Sequence, residues 1–173
     1  GHGRATADSH HRLAVVEVDR ATLESSDFAA FRPLAKLPLG MTAHVVFSAI
    51  DPVAPATTSA TMVREVIRGF IGFKGLLMSD DVAMGALSGS LSERSTAALA
   101  AGCDVVTYEF ENVPVTALAR IPRSVPCHPP VEALRVSQDR LYEKELFGRL
   151  GIVTPAYRGV DTLRELEIAV AAI

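Results

Sequence analysis

Apolar positions along the chain cluster in short runs separated by polar stretches of helical spacing. Leu13 to Val18 is a brief apolar run, and Leu23 to Leu34 predicts a helix of moderate amphipathicity that Pro33 ends. Gly40 to Phe47 predicts a buried strand. Asp51-Pro52 and Pro55 predict a turn, after which Ser59 caps a helix whose Met62, Val63, Val66, Ile67 and Phe70 recur at helical spacing before Gly69 and Gly72 interrupt it. Phe73 to Met78 then runs directly into Ser79-Asp80-Asp81, as a buried parallel strand delivering its last residues to a loop does. A third unit repeats the plan, with a helix at 91–101, Gly102 as its stop and a strand at 104–108. Helices alternating with nearly continuous apolar strands define a parallel α/β layer with right-handed crossovers.

The texture changes at Val113. Pro114, Pro122, Pro126, Pro129 and Pro130 predict an extended connector. A charged helix follows over 131–147, then Gly148 to Pro155 as a cap and short extended piece, and a last helix from Thr162 through Leu163, Leu166, Ile168 and Ala169 to Ile173. Residues 1–12 are small and polar, carry three histidines, and read as a loop from the interior of a longer polypeptide.

A length of 173 residues fits one domain, or one domain and a fragment, and is too short for a complete eight-stranded barrel of about 250 residues. With 49% hydrophobic residues and 17 basic against 20 acidic side chains, the composition is globular; it disfavours disorder, collagen and electrostatic nucleic-acid binding. No apolar run reaches membrane-spanning length, and Cys103 and Cys127 are too few and too distant for a disulfide scaffold or a cysteine-rich metal site, so a cytoplasmic location is expected.

Asp8-Ser9-His10 places a carboxylate two residues from an imidazole that it can orient and make more basic; a solvated polar loop is the plainer alternative. Asp80 and Asp81 sit where a parallel sheet collects functional groups, one suited to attack an electrophile or bind a metal and the other to cap the next helix. His44, inside an apolar run, reads as a hydrogen-bonded core histidine or a catalyst. Glu109, Glu111 and Asn112 form a polar cluster just after a strand, suited to a small molecule or simply to solvent. Arg135, Arg140 and Lys144 could face phosphates, though Glu132, Asp139, Glu143 and Glu145 make a salt-bridged helix face the simpler account. His2, His10 and His11 lack the spacing of a helix-borne metal pair, no metal site is expected, and there is no glycine-rich nucleotide loop.

Three stretches carry a resemblance: Gly1 to His10, Gly40-Met-Thr-Ala-His-Val-Val-Phe-Ser-Ala-Ile-Asp51 with Pro55-Ala-Thr57, and Gly75-Leu-Leu-Met-Ser-Asp-Asp-Val-Ala-Met84. With them, residues 1–106 resemble the later half of bacterial β-N-acetylglucosaminidases (β-hexosaminidases) of glycoside hydrolase family 3, β/α-barrel enzymes of peptidoglycan recycling. The resemblance implies a partial, TIM-barrel-like parallel sheet and retaining hydrolysis of an N-acetylglucosamine-containing muropeptide saccharide without a cofactor. Asp80 would be the nucleophile, His10 the acid/base and Asp8 its orienting partner, with His2, His44, Asp81 and Met84 binding substrate or supporting the site. The family's upstream Lys-His pair and substrate arginine have no counterpart here, so impaired activity is expected.

Residues from about 104 resemble the ATP-grasp 5-(carboxyamino)imidazole ribonucleotide synthases of purine biosynthesis, through Asp104-Val-Val-Thr-Tyr-Glu-Phe-Glu-Asn-Val-Pro114, Val136 to Lys144 and Phe147 to Ala156. This second resemblance implies a domain division at 106/107, a helical ATP-grasp-linker-like segment over 107–173, and ATP with magnesium as ligands. Glu109, Glu111 and Asn112 would lie near a ribonucleotide and Arg140 near phosphates. Three functions therefore stand side by side: a glycosidase, a non-catalytic chimera inclined to self-associate through uncovered sheet edges, and an ATP- or ribonucleotide-binding fragment.

Overall fold

Parallel strands need neighbours on both edges, and the order in which this chain supplies them defines the fold. A computed structural model describes residues 2–172; Gly1 and Ile173, which open the first motif and close the last helix of the sequence reading, lie outside the described residues. The chain divides into two compact units at Val131/Glu132, beyond the 106/107 division expected from sequence.

In the first unit, β1 (Ala14–Val16), β2 (Leu39–Met41), β3 (Val45–Phe47), β4 (Leu76–Asp81), β5 (Val105–Thr107) and β6 (Cys127–His128) pair only in parallel. β1 pairs with β3, and β2, β4, β5 and β6 form a second ladder in that order. Because β2 and β3 belong to one stretch, 39–47, the strand positions follow chain order across the layer. A doubly wound sheet reverses its order at a switch point; this one does not, as in a β/α barrel. The single strand expected over 40–47 opens at Thr42–His44, where the stretch stops pairing with β4 and starts pairing with β1.

Helices cover one face of this layer. Asp19 caps α1 (Arg20–Ser25) by accepting the Thr22 amide at 2.9 Å, so the helix expected from Leu23 starts earlier and gives way to a 3-10 turn, Ala29–Leu34, that accommodates Pro33. A wide, π-type helix spans Met62–Phe70. α2 (Leu91–Ala101) starts in a Ser90/Glu93 capping box and stops at Gly102, whose φ of 111° suits glycine. The core under these elements packs Leu23, Phe28, Val45, Phe47, Met62 and Val66, and Phe28 meets Phe47 edge to face at 5.3 Å. On the other face Val15, Leu39, Met41 and Leu76 are 51%, 56%, 50% and 42% exposed.

Two expectations beyond residue 113 are corrected. The proline-rich segment is not an extended connector: it holds α3 (Val115–Leu118) and β6, one further helix-to-strand unit. Its prolines fall outside the few positions that must donate, and the Val106 amide reaches the carbonyl of Pro126 at 2.9 Å. The single helix expected over 131–147 is two, α4 (Val131–Ser137) and α5 (Arg140–Arg149), because Asp139 caps the second by accepting from Leu141 and Tyr142.

In the second unit α5 continues through Gly148 and closes at Gly151, where the Ile152 amide returns to the Phe147 carbonyl at 2.9 Å. α6 (Leu163–Ala172) begins with Thr162 and Glu165 capping each other's amides at 3.3 and 3.0 Å. No described helix is long and apolar enough to cross a membrane.

Leu118 distinguishes a packed unit from a connector. It is 1% exposed, so Leu118→Ala is expected to lower unfolding free energy by roughly 2–5 kcal/mol in urea denaturation, against less than about 0.5 kcal/mol at a position in a solvated connector.

Candidate active site at the ends of the strands

Asp80 leaves the sheet through a β-bulge. Met78 is opposite Val105 and Asp81 opposite Thr107, so β4 spends one residue more than β5 between these pairs. Ser79, fully buried, fills the gap: its hydroxyl accepts the Thr107 amide at 2.9 Å, and its carbonyl accepts the Thr107 hydroxyl at the same distance. The extra residue bends the strand where its carboxylates emerge. Asp80 Oδ1 accepts the Asp81 amide at 2.9 Å, which leaves Oδ2 to face outward chemistry. Asp81 is 1% exposed; its Oδ1 holds the Ala83 amide at 2.7 Å and its Oδ2 has no hydrogen-bond partner. Asp80 is thus half-buried, and Asp81 braces the turn after β4 rather than capping the next helix, which Ser90 caps.

A buried polar chain ties this strand end to the 39–47 stretch. His44 Nε2 lies 2.8 Å from the Asp81 carbonyl, which can only accept, so Nε2 carries the hydrogen. In the neutral ring Nδ1 then accepts from the Thr57 hydroxyl at 2.8 Å; Thr57 accepts from Thr42 at 2.8 Å, and Thr42 accepts the Asp80 amide at 3.2 Å. Every hydrogen in this sequence has one acceptor. Burial holds the His44 pKa below its ordinary value, consistent with the neutral tautomer. His44 is thus a core histidine that positions both aspartates through the backbone.

The acid/base candidate sits on the loop before β1. His10 Nδ1 is 2.7 Å from Asp8 Oδ1, which also accepts the His10 amide at 2.9 Å. A carboxylate accepts, so Nδ1 donates and Nε2 is left to exchange a proton with a ligand. The Asp8 hydrogen bond raises the His10 pKa, with smaller contributions from the charges of Asp8, Asp80 and Glu109; the His10 amide and ring lower that of Asp8. His2 Nε2 meets the buried Ser9 hydroxyl at 2.6 Å, so His2 braces this loop.

The Asp80 and His10 loops are joined by backbone. Gly85 donates to the His10 carbonyl at 3.1 Å and Ala86 to the Ser9 carbonyl at 3.2 Å. A Cβ on Gly85 would lie 2.8 Å from the His10 carbonyl oxygen, so close approach requires glycine here. Arg94 holds the same turn from α2, donating to the carbonyls of Val82, Met84 and Gly89 at 3.0, 3.1 and 2.9 Å. Burial lowers the Arg94 pKa and the Asp81 charge raises it. Met84, 6% exposed, packs beneath the turn.

Other sequence candidates separate. The 109–112 loop follows β5 at the same edge, where Phe110 meets the His10 ring. Arg140 lies in the second unit, paired with Glu143 on its own helix, and Arg135 pairs with Glu132 at 2.6 Å, the salt-bridged pattern. No three His, Cys, Asp or Glu side chains among the described residues are grouped to hold a metal ion. Thr42, Thr57, Ser79, Gly85, Arg94 and Phe110 were not given roles from sequence, although Thr42, Thr57, Ser79 and Phe110 fell within quoted motifs.

The family model for the glycosyl hydrolase family 3 N terminal domain matches residues 1–141. The chain belongs to glycosyl hydrolase family 3. A beta-hexosaminidase of Alkalilimnicola ehrlichii is 46% identical over 110 residues, covering 61% of this chain and 31% of that protein. The glycoside hydrolase family 3 β-N-acetylglucosaminidase of Paenibacillus sp. str. FPU-7 superposes with a TM-score of 0.61 at 27% identity, covering 98% of this chain and 34% of that one. Native NagZ of Neisseria gonorrhoeae superposes with a TM-score of 0.56 at 28% identity, covering 90% and 49%. The chain thus spans about a third of the length of the curated relatives it matches. The family 3 match continues through about half of the segment that resembles an ATP-grasp enzyme, and the β5–β6 pairing gives the physical reason: the start of that segment adds to the parallel layer. Nothing in the fold or the comparisons supports the ATP-grasp reading or its ATP and magnesium.

Two measurements test the geometry. Thr57→Val orphans His44 Nδ1 and the Thr42 hydroxyl in the core, and a loss of roughly 1–3 kcal/mol per stranded group is expected in urea unfolding. Asp8→Asn removes the largest cause of the raised His10 pKa, so the NMR titration midpoint of His10 is expected to fall; an unchanged midpoint would break the assignment of the pair.

Proposed function

We propose that the chain carries the nucleophile and acid/base of a retaining β-N-acetylglucosaminidase acting on N-acetylglucosamine-containing saccharides such as muropeptides. The observation that carries the reading is the Asp8–His10 pair, hydrogen bonded at 2.7 Å and fastened by two backbone hydrogen bonds to the turn that follows Asp80. In the first step Asp80 Oδ2 attacks the anomeric carbon, the glycosidic C–O bond breaks, and the proton on His10 Nε2 passes to the leaving oxygen. In the second, water attacks the same carbon as His10 Nε2 takes its proton, and the Asp80 carboxylate departs. Two inversions retain the configuration, with an imidazole where most retaining enzymes use a second carboxyl group. The raised His10 pKa favours the protonated form needed first, and the charge of Asp80, once consumed in the ester, no longer holds that proton.

His2, Asp81, His44 and Met84 support this reading as residues that set the positions of Ser9, the Asp80 amide and the turn between the loops. No step uses a cofactor. This chain spans about a third of the length of the curated relatives it matches, and low turnover of the 173 residues by themselves is expected.

The test is hydrolysis of p-nitrophenyl N-acetyl-β-glucosaminide by the 173-residue chain. Asp80→Ala is expected to remove turnover by on the order of 10³-fold or more. His10→Ala is expected to lose roughly 10²–10⁴-fold, and less with a dinitrophenyl leaving group that needs no proton. Turnover indifferent to Asp80→Ala would overturn the proposal.

A further inference from the structure

Phe110 stands next to the acid/base on a loop staked at both ends. Before it, Tyr108 is 4% exposed, its amide bonded to the His128 carbonyl at 3.3 Å and its hydroxyl to the Pro130 carbonyl at 3.4 Å. After it, Val113 is 5% exposed. Of the four residues between these anchors, Phe110 is 47% exposed. Its ring centroid is 6.0 Å from that of His10 with planes at 73°, an edge-to-face contact. Such contacts are orientation-dependent and worth about 0.5–1.5 kcal/mol beyond area burial.

We infer that the loop after β5 is a positioning element for the acid/base, with Phe110 fixing the plane of the His10 imidazole and Glu109 adding negative charge beside it. The inference rests on the proposed glycosidase reading and extends it to residues that the sequence linked to a ribonucleotide. His10 Nδ1 is already held by Asp8, which leaves rotation of the ring about its side-chain bonds as the freedom to be removed. A hydrogen bond at Nδ1 is satisfied by a family of ring tilts, whereas a second ring packed edge to face selects one and with it the direction of Nε2. The charges that act on His10 are those of Asp8 from its own loop, where His11 also meets Asp8, of Asp80 from the end of β4 and of Glu109 from the loop after β5. All three are carboxylates, and Glu109 sits on the same loop as the ring that orients the imidazole. Orientation and charge are thereby delivered together by one four-residue segment.

The experiment is NMR of the full chain, with the His10 ring resonances assigned by loss in His10→Ala. In Phe110→Leu the ring-current displacement of the His10 signals is expected to disappear, and in Phe110→Tyr to persist; Glu109→Gln should keep the displacement but lower the His10 titration midpoint. On the chromogenic substrate, Phe110→Leu is expected to reduce kcat on the order of 10-fold with little change in KM, and Phe110→Tyr to restore most of it. A His10 signal and midpoint unmoved by both Phe110→Leu and Glu109→Gln would overturn the inference. Absence of turnover in the parent chain would instead overturn the glycosidase reading while leaving the NMR result to decide whether this loop positions His10.

Discussion

The carboxyl end of β4 depends on a buried, neutral histidine. His44 donates to the Asp81 carbonyl and accepts from Thr57, and Thr57 and Thr42 pass the hydrogen bond on to the Asp80 amide. The stretch 39–47 leaves the ladder with β4 after Met41, just where the two segments must stay in register for Asp80 to be presented. Side chains replace the missing ladder bonds. This arrangement is fully satisfied only with the ring uncharged, and burial enforces that state. A protonated His44 would present a second donor to Thr57, reverse the hydroxyl chain and leave the Asp80 amide facing a rotated hydroxyl.

The alternation of helices and apolar strands was legible in the sequence because buried parallel strands have no polar face and announce themselves as continuous runs. Asp80 was legible for the same reason: charge immediately after such a run marks the carboxyl edge of a sheet. His10 needed the family resemblance, since Asp-x-His spacing alone is common in solvated loops. The bulge at Ser79 was not legible, because nothing in Met-Ser-Asp-Asp distinguishes a regular strand end from one with an extra residue; only the partner register reveals it. β6 escaped notice because two residues among five prolines carry no periodicity, and their strand character comes entirely from pairing with β5. The split of the helix at 138–139 follows from Asp139 preferring a cap to a helix interior, a local competition that charge content alone does not show.

The segment from Asp104 onward is tied into the parallel layer by side chains at its start. Asp104 accepts the Leu77 amide at 2.8 Å and pairs with Arg68 at 2.9 Å, and Arg68 in turn donates to the carbonyls of Phe73 and Gly75 at 3.2 and 2.7 Å. These bonds fix where β5 starts relative to β4 at the end of the sheet opposite Asp80. Past that point a parallel strand requires only β-branched side chains and a helix-length return, which Val105-Val106-Thr107 and the segment through α3 to β6 provide. The fold therefore constrains the strand, not the loop that follows it.

That freedom has a consequence for the site. Strands in a parallel layer end at a common edge, so whatever loop follows β5 arrives beside the loops of Asp80 and His10 regardless of its ancestry. Here it brings Glu109 and Phe110 to an imidazole already biased toward its charged form by Asp8 and Asp80. An added carboxylate reinforces that bias, whereas an added cation would oppose it. The same edge thus holds Asp80 by buried hydrogen bonds and leaves His10 to be tuned by exposed neighbours, so the two candidate residues are held by different kinds of interaction.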